Sequence, residues 1–260
     1  MSKKPSFPYQ PLLLRITHNF QGLFVILAII TAFWTYNTYD GRWGKIFLPD
    51  WQEIEGIHGT FGLFSLLIFP FFVIYVIHRG EKKLIQSNSF NQLKLINKPI
   101  WWYTLHRYIN TSIIFVLTFA LFTGKMMDEE WLPRGELNHI WYTLHLISWL
   151  IIVFNIALHI LMSVKIGGYP LILSMIMNYS ASDKDTLFFL NYSKIHNDNS
   201  TSMEHEASHN HVIKLLTENL TKNWGKIIRE EWQKLPTHFK LLEIFLLLII
   251  ISAWLISAFK

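Results

Sequence analysis

The sequence predicts an all-α membrane protein. It is a transmembrane four-helix bundle, followed by a fifth, C-terminal apolar helix and by an amphipathic helix on the cytoplasmic surface. Three observations predict it. Charged residues make up only 16% of the 260 residues, 51% are hydrophobic, and the mean hydropathy is +0.26; a soluble domain carries roughly 25% charge. Five apolar runs are long enough, at about 20 residues, to cross a hydrocarbon core. Eleven Trp and ten Tyr suit the aromatic belts at two membrane interfaces.

In chain order, the basic N-terminus containing Lys3, Lys4 and Arg15 has no small-residue cleavage site after a short apolar run. It reads as the lead-in to a retained helix. Span one covers residues 19–36, with Arg15 and His18 at its entrance. Span two covers 57–77, opens with His58 and contains Pro70, which should kink it. Span three covers 103–124, span four 139–163 and span five 241–259, with Glu243 near its start. The loop after span two holds Arg79, Lys82, Lys83, Lys94 and Lys98, whereas the loops after spans one and three are mainly acidic. By the positive-inside rule the N-terminus is cytoplasmic. Three regions follow: a transmembrane domain at 1–180, a polar cytoplasmic segment at 181–240, and the fifth helix at 241–260.

The long, mostly polar stretch from Val164 to Lys240 contains three pieces. Residues 169–177 are apolar but too short to span, and read as interfacial. Residues 197–210 are rich in Ser, Asn and His and read as a loop. From 212 to 232, Ile213, Leu216, Leu220, Trp224 and Ile227 recur at helical spacing with Lys and Glu between them, the pattern of a surface-lying amphipathic helix. His196, His205, His209 and His211 resemble a metal-binding tract, although a solvated loop is the better account of them. The formal charge of +5 does not point to nucleic acid, because basic residues in membrane proteins mark cytoplasmic loops. With no cysteine in the chain, disulfides, iron–sulfur ligation and covalent haem attachment are excluded.

The residues that carry chemistry centre on span four, HIWYTLHLISWLIIVFNIALHILMS. His145 and His159 lie inside it, fourteen positions apart, which is about four helical turns and roughly 21 Å on nearly one face. Imidazoles within hydrocarbon are costly and mark function. In the topology above, His18 and His159 share the cytoplasmic layer, and His58 and His145 the outer layer. One such histidine could simply hydrogen-bond to a neighbouring helix; four in two depth-matched pairs argue for more. Two imidazoles from facing helices are a usual axial set for b-type haem, with no coordination position left open. Gly22, Gly59 and Gly62, close to the ligands, leave room for a flat macrocycle. Arg15, Arg107 and Lys165 inside, and Arg42, Lys45 and Arg134 outside, are candidate cations for its propionates. His106 is a rival ligand near the cytoplasmic end of span three, His139 sits at the outer mouth of span four, and His78 reads as snorkelling to water.

This pattern resembles the di-haem cytochrome b subunits of membrane-bound nickel–iron hydrogenases and formate dehydrogenases (the gamma subunit), part of the wider cytochrome b(561)-like group. The likeness lies in R-I-T-H at Arg15–His18, H-G-x-x-G at His58–Gly62, the His145/His159 pair, and GGYPLILSMIMN from Gly167 to Asn178. It covers roughly the first 195 residues. The resemblance implies two haems b, with His18 and His159 as metal ligands to an inner one and His58 and His145 to an outer one. It also implies a quinone site beside the cytoplasmic start of span three. Asn110 stands where the family carries an asparagine near that site, with Tyr108 and His106 as neighbouring polar candidates. The local sequence LHRYINTSI, the His-rich loop, the amphipathic helix and span five depart from the family pattern.

The function expected is transmembrane electron transfer between a partner redox subunit containing iron–sulfur clusters and the quinone pool, in a bacterial inner membrane or a thylakoid. The chain would then be the electron-transfer subunit of an oxidoreductase complex. Two alternatives stand beside it: a transmembrane oxidoreductase acting alone between a soluble reductant and quinone, and a haem-free scaffold or metal transporter using the His-rich loop.

Overall fold

The computed structural model describes residues 12–128, 130–176 and 232–259. The amphipathic helix expected at 212–232 and the His-rich stretch at 196–211 lie outside the described residues, apart from residue 232. The chain divides into two units. One consists of Met1–Ile176 with Thr237–Lys260, the other of Met177–Pro236; every helix below belongs to the first.

Six α-helices are described in this unit: α1 Leu12–Tyr39, α2 Ile54–Gly80, α3 Ser89–Leu93, α4 Pro99–Met126, α5 Ile140–Ile176 and α6 Thr237–Phe259. A 3-10 turn, Glu81–Lys83, follows α2, and there is no strand among the described residues. All but α3 are long and apolar enough to span a membrane, so the five expected spans are present; four start three to seven residues earlier than hydropathy alone suggests, and the fourth starts at Ile140, one residue later. Pro70 is accommodated inside α2. Pro99 opens α4, a position where its missing N–H costs nothing.

Only 17% to 39% of each span's apolar window is buried within the protein. Phe20, Ile30, Phe71, Phe154 and Leu241 are among the large apolar side chains facing outward. Such a surface is stable only in lipid.

Partner positions fix how the helices run. Gln21 Nε2 donates to Ser65 Oγ at 2.6 Å, and His58 reaches Ala28 and Thr31. As one number rises the other falls, so α1 and α2 form an antiparallel hairpin. The same holds for α4 and α5, through Asn155 Nδ2 to Ser112 Oγ at 2.9 Å, His145 near Thr123, and His159 near Asn110. Buried amide–hydroxyl bonds of this kind link helices where the surroundings supply no other partner. Helix packing is extensive within each hairpin and sparse between α1 and α5. Two firm hairpins thus face one another with little direct contact, bridged by bonds such as Trp149 Nε1 to Ile29 O at 3.2 Å and Asn19 Nδ2 to Met175 O at 2.7 Å. Helix α6 packs on α4 and α2.

The helix carrying His145 and His159 is interrupted at Gly168, where φ is 62° and ψ −167°. A Cβ at Gly167 would stand 2.5 Å from Leu171 Cβ, so the Gly-Gly pair permits a break that other residues would resist. The short apolar piece after it is therefore a separate helical segment beyond the span.

Candidate functional site

The four span histidines face one another across the gap between the hairpins. His18 on α1 and His159 on α5 have ring centres 6.2 Å apart, with ring planes inclined at 33°. His58 on α2 and His145 on α5 are 5.9 Å apart and inclined at 65°. Each pair takes one ring from each hairpin. The two on α5 set the pairs roughly 21 Å apart along the bundle.

These separations bear on a bound metal. A nitrogen–metal distance of about 2.0–2.1 Å on each side, plus roughly 1 Å from each nitrogen to its ring centre, gives ring centres about 6 Å apart. Both pairs agree with that span, and both are too far apart for direct hydrogen bonding. No group of three or more His, Cys, Asp and Glu suited to a metal ion occurs among the described residues. Pairs of imidazoles are what a porphyrin iron needs, since the macrocycle supplies the other four ligands.

The ring tautomers follow from their partners. His58 Nδ1 lies 3.1 Å from Ala28 O, His145 Nδ1 3.0 Å from Ala120 O. Carbonyl oxygens only accept, so these Nδ1 atoms carry the proton and Nε2 keeps the lone pair that binds metal. His159 Nδ1 stands 2.9 Å from Asn110 Oδ1, and its amide nitrogen donates to Lys83 O at 3.1 Å. The same tautomer results. His18 Nδ1 is buried and makes no hydrogen bond among the described residues.

Small residues accompany these rings. A Cβ at Gly22, Gly59 or Gly62 would meet nothing within 4 Å, which is the room a flat group needs beside His18 and His58. Gly124 differs, because a Cβ there would approach His145 Cε1 to 3.1 Å. Its hydrogen lets α4 and the ring come together.

The remaining sequence candidates fall in varied places. Arg15 is buried, 6% exposed, one turn before His18. Arg107 Nε donates to Lys82 O at 2.9 Å, and Lys165 Nζ sits 5.1 Å above the Trp102 ring. At the other end Arg42 is already engaged: Nε donates to Asp40 at 2.9 Å and Nη2 to Leu137 O at 2.7 Å. Its bond to Asp40 raises the guanidinium pKa further. Tyr142 also donates to Asp40, at 2.7 Å, so this loop closes the bundle rather than offering a free cation. Arg134 pairs with Glu130. Tyr108 is half-buried, but two positions from Asn110 it lies about 200° around the helix, away from the His159 face. His106 is 5.3 Å from His159 between ring centres, with Nε2 3.5 Å from Ser163 Oγ. His139 stacks on Trp131 at 3.7 Å, away from either pair.

One expectation is overturned. His78 does not snorkel to water: its side chain is 4% exposed, and Nε2 lies 3.1 Å from Glu243, itself 4% exposed. The span hydropathy hid this, because each residue alone looks like a defect near a helix end. Together they join α2 to α6. Sequence reading also missed Thr31, Thr123 and Gly124, which surround the His58/His145 pair. A signal existed in the repetition of Ala-x-x-Thr at Ala28–Thr31 and Ala120–Thr123.

With the geometry in place, residues 9–178 match the model of a family described as prokaryotic cytochrome b561, a span covering well over half of the chain. No curated protein and no solved structure matches significantly.

Proposed function

The chain belongs to the prokaryotic cytochrome b561 family of membrane electron-transfer proteins that bind haem b, and from this premise we propose a di-haem carrier between a redox partner and quinone. One observation carries the count of two. Each hairpin presents two histidines, and each meets a histidine of the other hairpin at about the separation two axial ligands require. His18 and His159 would hold one haem b, His58 and His145 the second. Held between two imidazoles, haem b exchanges single electrons and offers no position for oxygen or substrate. The chain's own task is to keep Nε2 unprotonated and aimed inward. Ala28, Ala120 and Asn110 support this by occupying Nδ1 of three of the rings.

The quinone is assigned to the His18/His159 end. There Asn110 and His106 gather against His159, with Arg15 buried close to His18; Tyr108, on the same helix as Asn110, faces away from His159 and adds no support. Arg15 near the start of α1 and the basic 79–98 loop after α2 lie at this end of the bundle, which favours the cytoplasmic side for this end. A chain without cysteine cannot ligate an iron–sulfur cluster by thiolates. Any iron–sulfur cluster in the pathway would therefore belong to a partner subunit, which this reading places at the opposite, outer face of a bacterial inner or thylakoid membrane.

The test is the cofactor count. Purified protein should give a pyridine haemochrome with two haems b per chain and a spectrum that sharpens on dithionite. His18→Ala and His159→Ala should remove one redox centre, His58→Ala and His145→Ala the other. A colourless, folded preparation, or one haem per chain, would sink the di-haem reading.

A further inference from the structure

We propose that Thr31 and Thr123 are paired positioning residues that lower the midpoint potential of the haem held by His58 and His145. This inference rests on the reading of those histidines as axial ligands. Thr31 Oγ1 donates to Leu27 O at 2.8 Å, and Thr123 Oγ1 to Phe119 O at 3.0 Å. With each hydroxyl proton committed to its own helix, the oxygen presents lone pairs outward. Those oxygens lie 3.3 Å from His58 Nδ1 and 3.1 Å from His145 Nδ1. Each Nδ1–H is therefore shared between a hydroxyl and a carbonyl, Ala28 O or Ala120 O, in a three-centre bond. Thr31 is 8% exposed and Thr123 0%, so water does not readily replace either oxygen.

Threonines in membrane helices commonly back-bond to their own helix for no further purpose. Thr35 and Thr118 do so here. What separates Thr31 and Thr123 is that both face a ligand ring from a neighbouring helix. They occupy corresponding places in the two hairpins, each three residues after the alanine whose carbonyl takes the same proton. The other pair lacks this arrangement: Asn110 meets His159, and His18 Nδ1 makes no hydrogen bond among the described residues.

Two acceptors on Nδ1–H shift electron density toward Nε2 and make the imidazole a stronger donor. A stronger donor favours ferric over ferrous iron. The potential of that centre should fall relative to a singly bonded ligand, and removing a hydroxyl should raise it.

The test uses the full-length, haem-loaded protein in redox titrations followed by visible absorption. His58→Ala and His145→Ala first identify which of the two potentials belongs to this pair. Thr31→Val and Thr123→Val should each move that potential upward and leave the other in place, with a larger shift in the double variant. Thr31→Ser and Thr123→Ser restore the hydroxyl and should return it toward the wild-type value. Loss of this haem alone in the Val variants, with the Ser variants retaining it, also supports the assignment. An unmoved potential in loaded Val variants, a shift in the other centre, or Ser variants shifted as far as Val would overturn it. A wild-type chain that fails to bind two haems would instead overturn the di-haem reading, so the two failures are distinguishable.

Discussion

The two histidine pairs share a plan and differ in what holds them. Around His58 and His145 the contacts are neutral and nearly duplicated between hairpins: a backbone carbonyl and a threonine hydroxyl on each Nδ1. That end is closed by a loop cluster in which Asp40 accepts from both Arg42 and Tyr142. Around His18 and His159 stand an amide and ionisable groups: Asn110 and His106 against His159, and Arg15 buried one turn before His18. A fifth helix and its buried acid are attached nearby, through His78. Duplicated neutral contacts fix a ring and resist change, because they have nothing to titrate. Ionisable groups are what a site needs to bind a polar, proton-exchanging molecule such as a quinone. The difference teaches that one pair is held by contacts that do not titrate and the other is not, and the proposed reading places chemistry with solutes at the second.

The sharpest way to break this contrast is to remove the support particular to the His18/His159 end. Glu243→Ala leaves His78 buried opposite an apolar void. Leaving a buried hydrogen-bonding group without that partner costs about 1–3 kcal/mol, so α6 should loosen from α2 and α4. Thermal unfolding in detergent, followed by haem absorbance, should show an early loss of the His18/His159 centre before the other. Equal loss of both centres, or no destabilisation, would mean that α6 does not serve this end in particular.

A smaller effect is expected from Asn110→Ala. It removes the acceptor on His159 Nδ1 and the donor to Lys83 O. Loss of such an outer partner weakens metal binding by about 10- to 100-fold. Haem should dissociate from the His18/His159 centre first on dilution in detergent, while the His58/His145 centre keeps its spectrum. Faster loss from the wrong centre would reverse the contrast.

How much of this was legible in the sequence follows from the same two ends. The spans were readable because hydrocarbon imposes a length and a composition that hydropathy detects directly. The pairing of rings was readable too, since two histidines fourteen apart on one helix leave only a few residues at matching depths. The connections between those rings and their surroundings were not. His78 and Glu243 are 165 positions apart, and neither says anything of the other until α6 is placed against α2. Arg42 was a candidate propionate cation; Asp40 stands two positions before it in the sequence, but only folding brings Leu137 O to it. Asn110 was visible as a candidate, but its contact with His159 depends on the antiparallel register of α4 and α5. Period and polarity announce helices, whereas second partners arise from register, and a single sequence states register weakly.

The mildest change addresses the fixed end. A Cβ at Gly124 would come within 3.1 Å of His145 Cε1, tighter than ordinary carbon–carbon contact near 3.5–4.0 Å. The ring cannot retreat freely, because its Nδ1 is tied to Ala120 O and Thr123 on the helix that carries the new methyl group. Either α4 moves away by a few tenths of an ångström or the ring tilts. Overpacking of this size costs about 1 kcal/mol or slightly more. Gly124→Ala should therefore keep both haems but displace the potential and absorption band of the His58/His145 centre alone. If that centre tolerates the methyl group without change, the pair is less rigidly seated than its duplicated contacts imply, and the contrast between the two ends narrows to their ionisable groups.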